Sequence, residues 1–195
     1  MAIKVSYLPE DEIEKEAALL LAEYTETTGA PIKLPVPIND ITIYHLALRL
    51  DFADLHETLR IPMMRDQPDI LGAIWVDMEA ILIDRSLDPK SNPSMTGRYR
   101  FSVAHEVGHW RLHRSYVAKD ASQDSLFDGS AEPSVICRSS QAKEPIEWQA
   151  DFFSSCLLMP RGRVHDEWEC CLGRTRPLLL SDLQPNGRVI MQAQT

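Results

Sequence analysis

The chain has 195 residues, 44% of them apolar and 25% charged, with a formal net charge of −9 and an isoelectric point near 5.1. That size and composition suit one conventionally folded domain over residues 1–195, with a core at about 10–160 and a C-terminal extension at 161–195, rather than a disordered or fibrous chain. An acidic protein is repelled by phosphate backbones and anionic membranes, no apolar run approaches the ~20 residues of a membrane helix, and Met1 to Glu10 lack the regions of a signal peptide, so a cytoplasmic protein without direct nucleic-acid or membrane binding is expected.

In chain order, Ile13, Ala17, Leu20, Leu21 and Tyr24 recur at helical spacing behind Glu10-Asp11-Glu12, whose charges suit a helix N-terminus, and Thr28-Gly29 should end that helix. Pro31, Pro35 and Pro37 enforce an extended connector. Asn39 or Asp40 offers a cap for a second helix through Ile43, Leu46 and Ala47, and Leu50 to Leu55 offers a strand. Residues 72–76 and 80–84, rich in β-branched side chains and separated by Asp77-Met78-Glu79, predict a β-hairpin whose exposed edge could pair with a peptide. Pro89, Ser91, Asn92, Pro93 and Ser94 mark a loop between Ser86 and Gly97, and a buried helix is expected from about Ser102. Residues 115–143 are polar and irregular and give no assignable element. Pro145 suits the first position of a helix closed by Pro160. The four cysteines, Cys137, Cys156, Cys170 and Cys171, are too few and irregular for a disulfide framework and read as reduced thiols, with no C-x-x-C spacing to mark a metal or redox site.

The chemistry concentrates in His105-Glu106-Val107-Gly108-His109. Histidines four apart on a helix share a face and can hold one zinc ion, while Glu106 lies beside the metal without binding it and can act as general base. Such a site needs a third ligand. His113 continues the spacing, but eight residues of helix rise roughly 12 Å, too far for three imidazoles on one ion, so His113 is expected in the outer shell or the core. Glu147, on the helix starting at Pro145, is the preferred third ligand, with Glu144 at the helix end as its rival. Asp151 shares the face of Glu147 and could orient a ligand histidine through its free ring N–H. Tyr99, His113, Tyr116 and His165 are all eligible as oxyanion donors, and spacing does not choose among them.

The stretch Arg100 to His109 followed by Leu112-His113, and the stretch Ile146-Glu-Trp-Gln-Ala-Asp-Phe-Phe-Ser-Ser-Cys-Leu-Leu-Met-Pro160, together resemble the two metal-site helices of the ImmA/IrrE-type metallopeptidases. The resemblance runs from the first helix to Pro160. It implies a small thermolysin-like, zincin-type α+β domain, with helices packed on a short sheet and the H-E-x-x-H helix at its centre. It also implies His105, His109 and Glu147 as zinc ligands and Glu106 as catalytic acid/base. Family members often carry Asn at the position of Asp151, and either residue accepts an imidazole N–H. By analogy with the family, the substrate is expected to be a helix-turn-helix transcriptional repressor governing stress or transfer genes. The competing expectation is a zinc-containing sensor that binds a protein partner without cutting it, a role for which Glu106 is unnecessary.

Overall fold

The computed structural model describes residues 4–62, 69–117, 133–138 and 144–172, which divide between two compact units, Met1–Leu158 and Met159–Thr195. In the first unit, α1 spans Glu10–Thr28, with three acidic residues in its first turn opposing the helix dipole. It ends as expected at Gly29, whose positive φ of 64° lets its N–H reach back to the Thr25 carbonyl. Ile13, Ala17, Leu20 and Leu21 form its buried stripe.

The second helix departs from expectation. Helix α2, Ile38–Asp40, starts directly after Pro37 and widens into a π-helical turn, Ile41–His45. Neither Asn39 nor Asp40 caps it, because the proline sets the entry and the Asn39 side chain is engaged by the Tyr99 hydroxyl, 3.2 Å away. Ala47, at φ 56°, then turns the chain away from the helix that sequence spacing extended through it.

Strand β1 covers Arg49–Ala53, and Leu55 belongs to a short helix instead, α3, Leu55–Thr58, which Asp54 caps by accepting from the Glu57 N–H. The hairpin is present as β2, Ile70–Trp75, and β3, Ala80–Asp84. Its edges, however, are both covered: β1 pairs parallel to β3, and β4, Val135–Arg138, pairs antiparallel to β2, giving the order β1-β3-β2-β4. The expected peptide-binding edge on the hairpin is therefore absent. Strand β4 lies in the stretch where sequence gave no element, because four residues, Val-Ile-Cys-Arg, are too few to show a period and gain their order from β2. Residues 115–117 of that stretch are helical, and 118–132 and 139–143 lie outside the described residues.

Alternation along β2 and β3 sorts the sheet into two faces. Ile74, Ile81 and Ile83 enter the main core with α1 and the other helices, whereas Ala73, Trp75 and Ala80 form a smaller cluster with Leu59 and Leu82. Helix α4, Thr96–Gly108, lies against the main face and continues as a π-helical turn, His109–His113. It begins six residues before the expected Ser102, led in by a 3-10 turn at Pro93–Met95, because its first turns are exposed and polar and carry no apolar period. Helix α5, Pro145–Leu158, agrees with expectation and packs against both α1 and α4. The architecture is thus an α+β domain of zincin type, with the H-E-x-x-H helix between sheet and helices.

The described part of the second unit is one helix, α6, Arg161–Leu172, with an exposed i,i+4 contact between His165 and Glu169. Among the described residues, no helix is long and apolar enough to cross a membrane.

Candidate metal centre

Three sequence-selected side chains converge between α4 and α5. His105 Nε2 and His109 Nε2 are 2.9 Å apart, and the two oxygens of Glu147 lie 3.2 Å from the first and 3.4 Å from the second. Ligand bonds of ~2.1 Å in tetrahedral geometry place neighbouring donor atoms ~3.4 Å apart, so these separations suit one shared ion. The helices approach this closely because of Gly108: a Cβ there would stand 3.2 Å from the Cα and carbonyl oxygen of Ala150 on α5.

A hydrogen-bond relay decides which ring nitrogens are free. The carbonyl of Ser6 can only accept, so the Gln149 amide turns its Nε2 toward it, at 2.9 Å, and presents Oε1 to His113 Nε2, also at 2.9 Å. His113 therefore donates from Nε2 and accepts at Nδ1, which receives the Nδ1–H of His109 at 3.1 Å. His109 is left with a bare Nε2 lone pair facing Glu147 and His105. Asp151 does the same for His105 in one step, accepting its Nδ1–H at 2.9 Å. His113 thus hydrogen-bonds both His109 and Gln149.

Charge around the donors is unbalanced. Burial, with His105 and His113 nearby, holds His109 well below its ordinary 6.5, and burial also lowers His113, so both rings are neutral. Burial also opposes charge on His105, but hydrogen bonding to Cys137 and Glu147 outweighs it and raises this ring to about 10. Without another cation, the cluster stabilises a proton on His105; a metal ion would take that place. Glu106 is 0% exposed, and neither carboxylate oxygen has a hydrogen-bond partner among the described residues. Burial pushes its carboxyl up to about 8, with His105 opposing and Glu147 reinforcing the shift. A buried carboxyl in this state costs several kcal/mol unless something in the cleft engages it. Its room is made by Gly72 on β2, where a Cβ would lie 2.6 Å from Glu106 Oε1.

Sequence reasoning missed Cys137. It is buried on β4, and its sulfur, a His105 ring nitrogen and a Glu147 oxygen all lie within 4.8 Å of one another. The available signal, a cysteine in a short β-branched stretch just before the second motif, was too slight without the pairing that brings β4 to the site. The rival ligand Glu144 is exposed ahead of α5. Among the eligible oxyanion donors, Tyr99 is committed to Asn39 and His113 to the relay, while His165 lies in the second unit.

Residues 90–170 match the family model of the peptidase M78 group, described as the IrrE N-terminal-like domain. The match contains both motif helices and β4, and it bears out the ImmA/IrrE resemblance over that segment as a metallopeptidase-type domain. No curated protein matches the chain.

Proposed function

We propose that this domain, whose residues 90–170 carry the peptidase M78 match, is a zinc-dependent endopeptidase that cuts an intracellular regulatory protein. The observation that carries the reading is the convergence of two imidazole Nε2 atoms and a carboxylate beside a buried glutamate with no hydrogen-bond partner among the described residues. His105, His109 and Glu147 would hold the ion. When bound, zinc supplies Lewis acidity, polarising a carbonyl and easing deprotonation of water.

Glu106 then has a defined task. With a cation in place of the His105 proton its carboxyl would ionise, and, enclosed beside the donor set with no hydrogen-bond partner among the described residues, it could take the proton of the attacking water and return it to the leaving nitrogen. Asp151 and the Gln149–His113 relay keep the two imidazoles in the required tautomers throughout. An extended substrate would pair with β4, one of the sheet's two edge strands among the described residues and the one whose Cys137 lies beside the donors. The family resemblance supports a helix-turn-helix repressor as the substrate class.

The test is co-expression of wild type and Glu106→Gln with candidate repressors, followed by gel analysis and metal determination. The variant should fold, bind about one zinc and lose cleavage by at least the ~100-fold attributed to general acid–base catalysis. Equal cleavage by both proteins would place the activity elsewhere. Tight binding of a repressor with no cleavage by either would replace the peptidase with a sensor.

A further inference from the structure

Strand pairing gives Cys137 an orientation as well as a position. It is the direct cross-strand partner of Gly72, and directly opposed residues of an antiparallel pair project on the same side. The Gly72 side is occupied by Glu106, so the thiol faces the interior of the site. The register between β2 and β4 slips between Ile70 and Gly72, where two steps on β2 answer one on β4, from Arg138 to Cys137. A bulge of this kind re-aims a side chain. The surroundings of the sulfur are also wrong for a packing residue: it interacts with His105, Glu106 and Glu147. Glu106, wholly buried and without a hydrogen-bond partner among the described residues, independently marks the same space as built for a ligand.

We propose that Cys137 is a fourth, exchangeable ligand of the metal held by His105, His109 and Glu147, occupying the coordination position that water needs and keeping the site latent until the thiol withdraws. Coordination forms a metal–sulfur bond, breaks the S–H bond and releases the proton to solvent. Donor atoms sharing a tetrahedral zinc through a ~2.3 Å sulfur bond and a ~2.1 Å nitrogen bond lie ~3.6 Å apart. A sulfur no more than 4.8 Å from a His105 nitrogen and a Glu147 oxygen stands at most about one ångström beyond the spacing that coordination alongside those two residues requires. The ligand assignment rests on the metal reading above but not on proteolysis, whereas the latency rests on both.

Cobalt(II) replacing zinc makes the ligand visible, because a thiolate ligand gives an intense sulfur-to-metal charge-transfer band in the near ultraviolet and nitrogen and oxygen ligands do not. Purified full-length protein loaded with cobalt(II) should show the band, and Cys137→Ala should lose it, still bind one cobalt(II) and hold it about 10-fold more weakly. Cys137→Ser, closer in size, repeats the measurement should the alanine variant fold poorly, with circular dichroism as the check. Cleavage by the zinc-loaded alanine variant should rise several-fold over wild type. A wild type that binds cobalt(II) without the band, or a band that persists in both variants, overturns the ligand assignment and leaves the peptidase reading intact. A band lost in the variants with no cleavage by any protein upholds the ligand and overturns the peptidase. A cleavage rate lowered in both variants, with the band lost, overturns latency.

Discussion

Glu106 and Arg111 stand five residues apart on one helical segment and carry opposite treatment of buried charge. Arg111, its side chain 16% exposed, donates to Glu16 at 2.8 Å and to both oxygens of Glu23 at 2.9 and 3.1 Å, tying the π-helical turn to α1. Its charge is answered entirely within the protein. Glu106 is more deeply buried and meets no donor among the described residues. The contrast separates two kinds of ionisable residue: one is answered within the fold, and the other is the group that the proposed function puts to use.

The contrast breaks first if the donors near Glu106 turn out to be self-sufficient. His105→Ala, His109→Ala or Glu147→Ala should weaken metal binding by at least ~100-fold by competition with a chelator, more than the loss typical of outer-shell changes, while Glu144→Ala should bind like wild type. Unchanged metal content in the first three would move the site. Next, Gly72→Ala forces a methyl to within 2.6 Å of Glu106 Oε1, and the flexible carboxylate should yield. Zinc content and melting temperature should stay near wild type while cleavage falls on the order of 10- to 100-fold, the scale of an ångström misplacement. A stability loss with normal cleavage would make Gly72 a packing residue only.

Sharper still is Gln149→Leu, which removes the start of the relay without touching a donor. Metal affinity should drop about 10-fold, the lower end for outer-shell changes, read by chelator titration. The smallest effect lies on the structural side. Arg111→Met should cost about 2 kcal/mol in urea unfolding, since these hydrogen bonds are charged but the carboxylates are about one-third exposed and screened. It should leave metal affinity alone. The hydrogen bond to Arg111, larger than the opposing burial, holds the Glu23 carboxyl below its ordinary 4.5. The pair's contribution is therefore fully present above that value and is lost as pH falls through the lowered one, so wild type and Arg111→Met should converge in stability in acid.

Much of the site was legible because its determinants are local. The i,i+4 pair His105 and His109, and Glu147 with Asp151 one turn on, need only a helix to share a face, and Pro145 and Pro160 bracket the second helix in the sequence itself. The start of α4 was misread because its exposed first turns show no period. What sequence could not supply was non-local. Asn39 was unavailable as a cap because of Tyr99, sixty residues away. The hairpin's edges were filled by strands from distant segments. Cys137 became visible only through its pairing with Gly72, and the direction of the His109 lone pair only through Gln149 and Ser6.

The contact of Gly108 with Ala150 gives two residues without functional groups authority over the chemistry. Gly108 precedes a donor histidine, and Ala150 follows Glu147 by three residues, so the thickness of that seam is the gauge on which the donor spacing is cut. A larger side chain at either position would spread α4 from α5 and carry Glu147 away from the two imidazoles while every donor remained in the sequence. Drift at these two positions would therefore undo the proposed metal centre without altering a single residue of its motifs, and a descendant changed in this way would still be read as a metallopeptidase by anyone counting histidines.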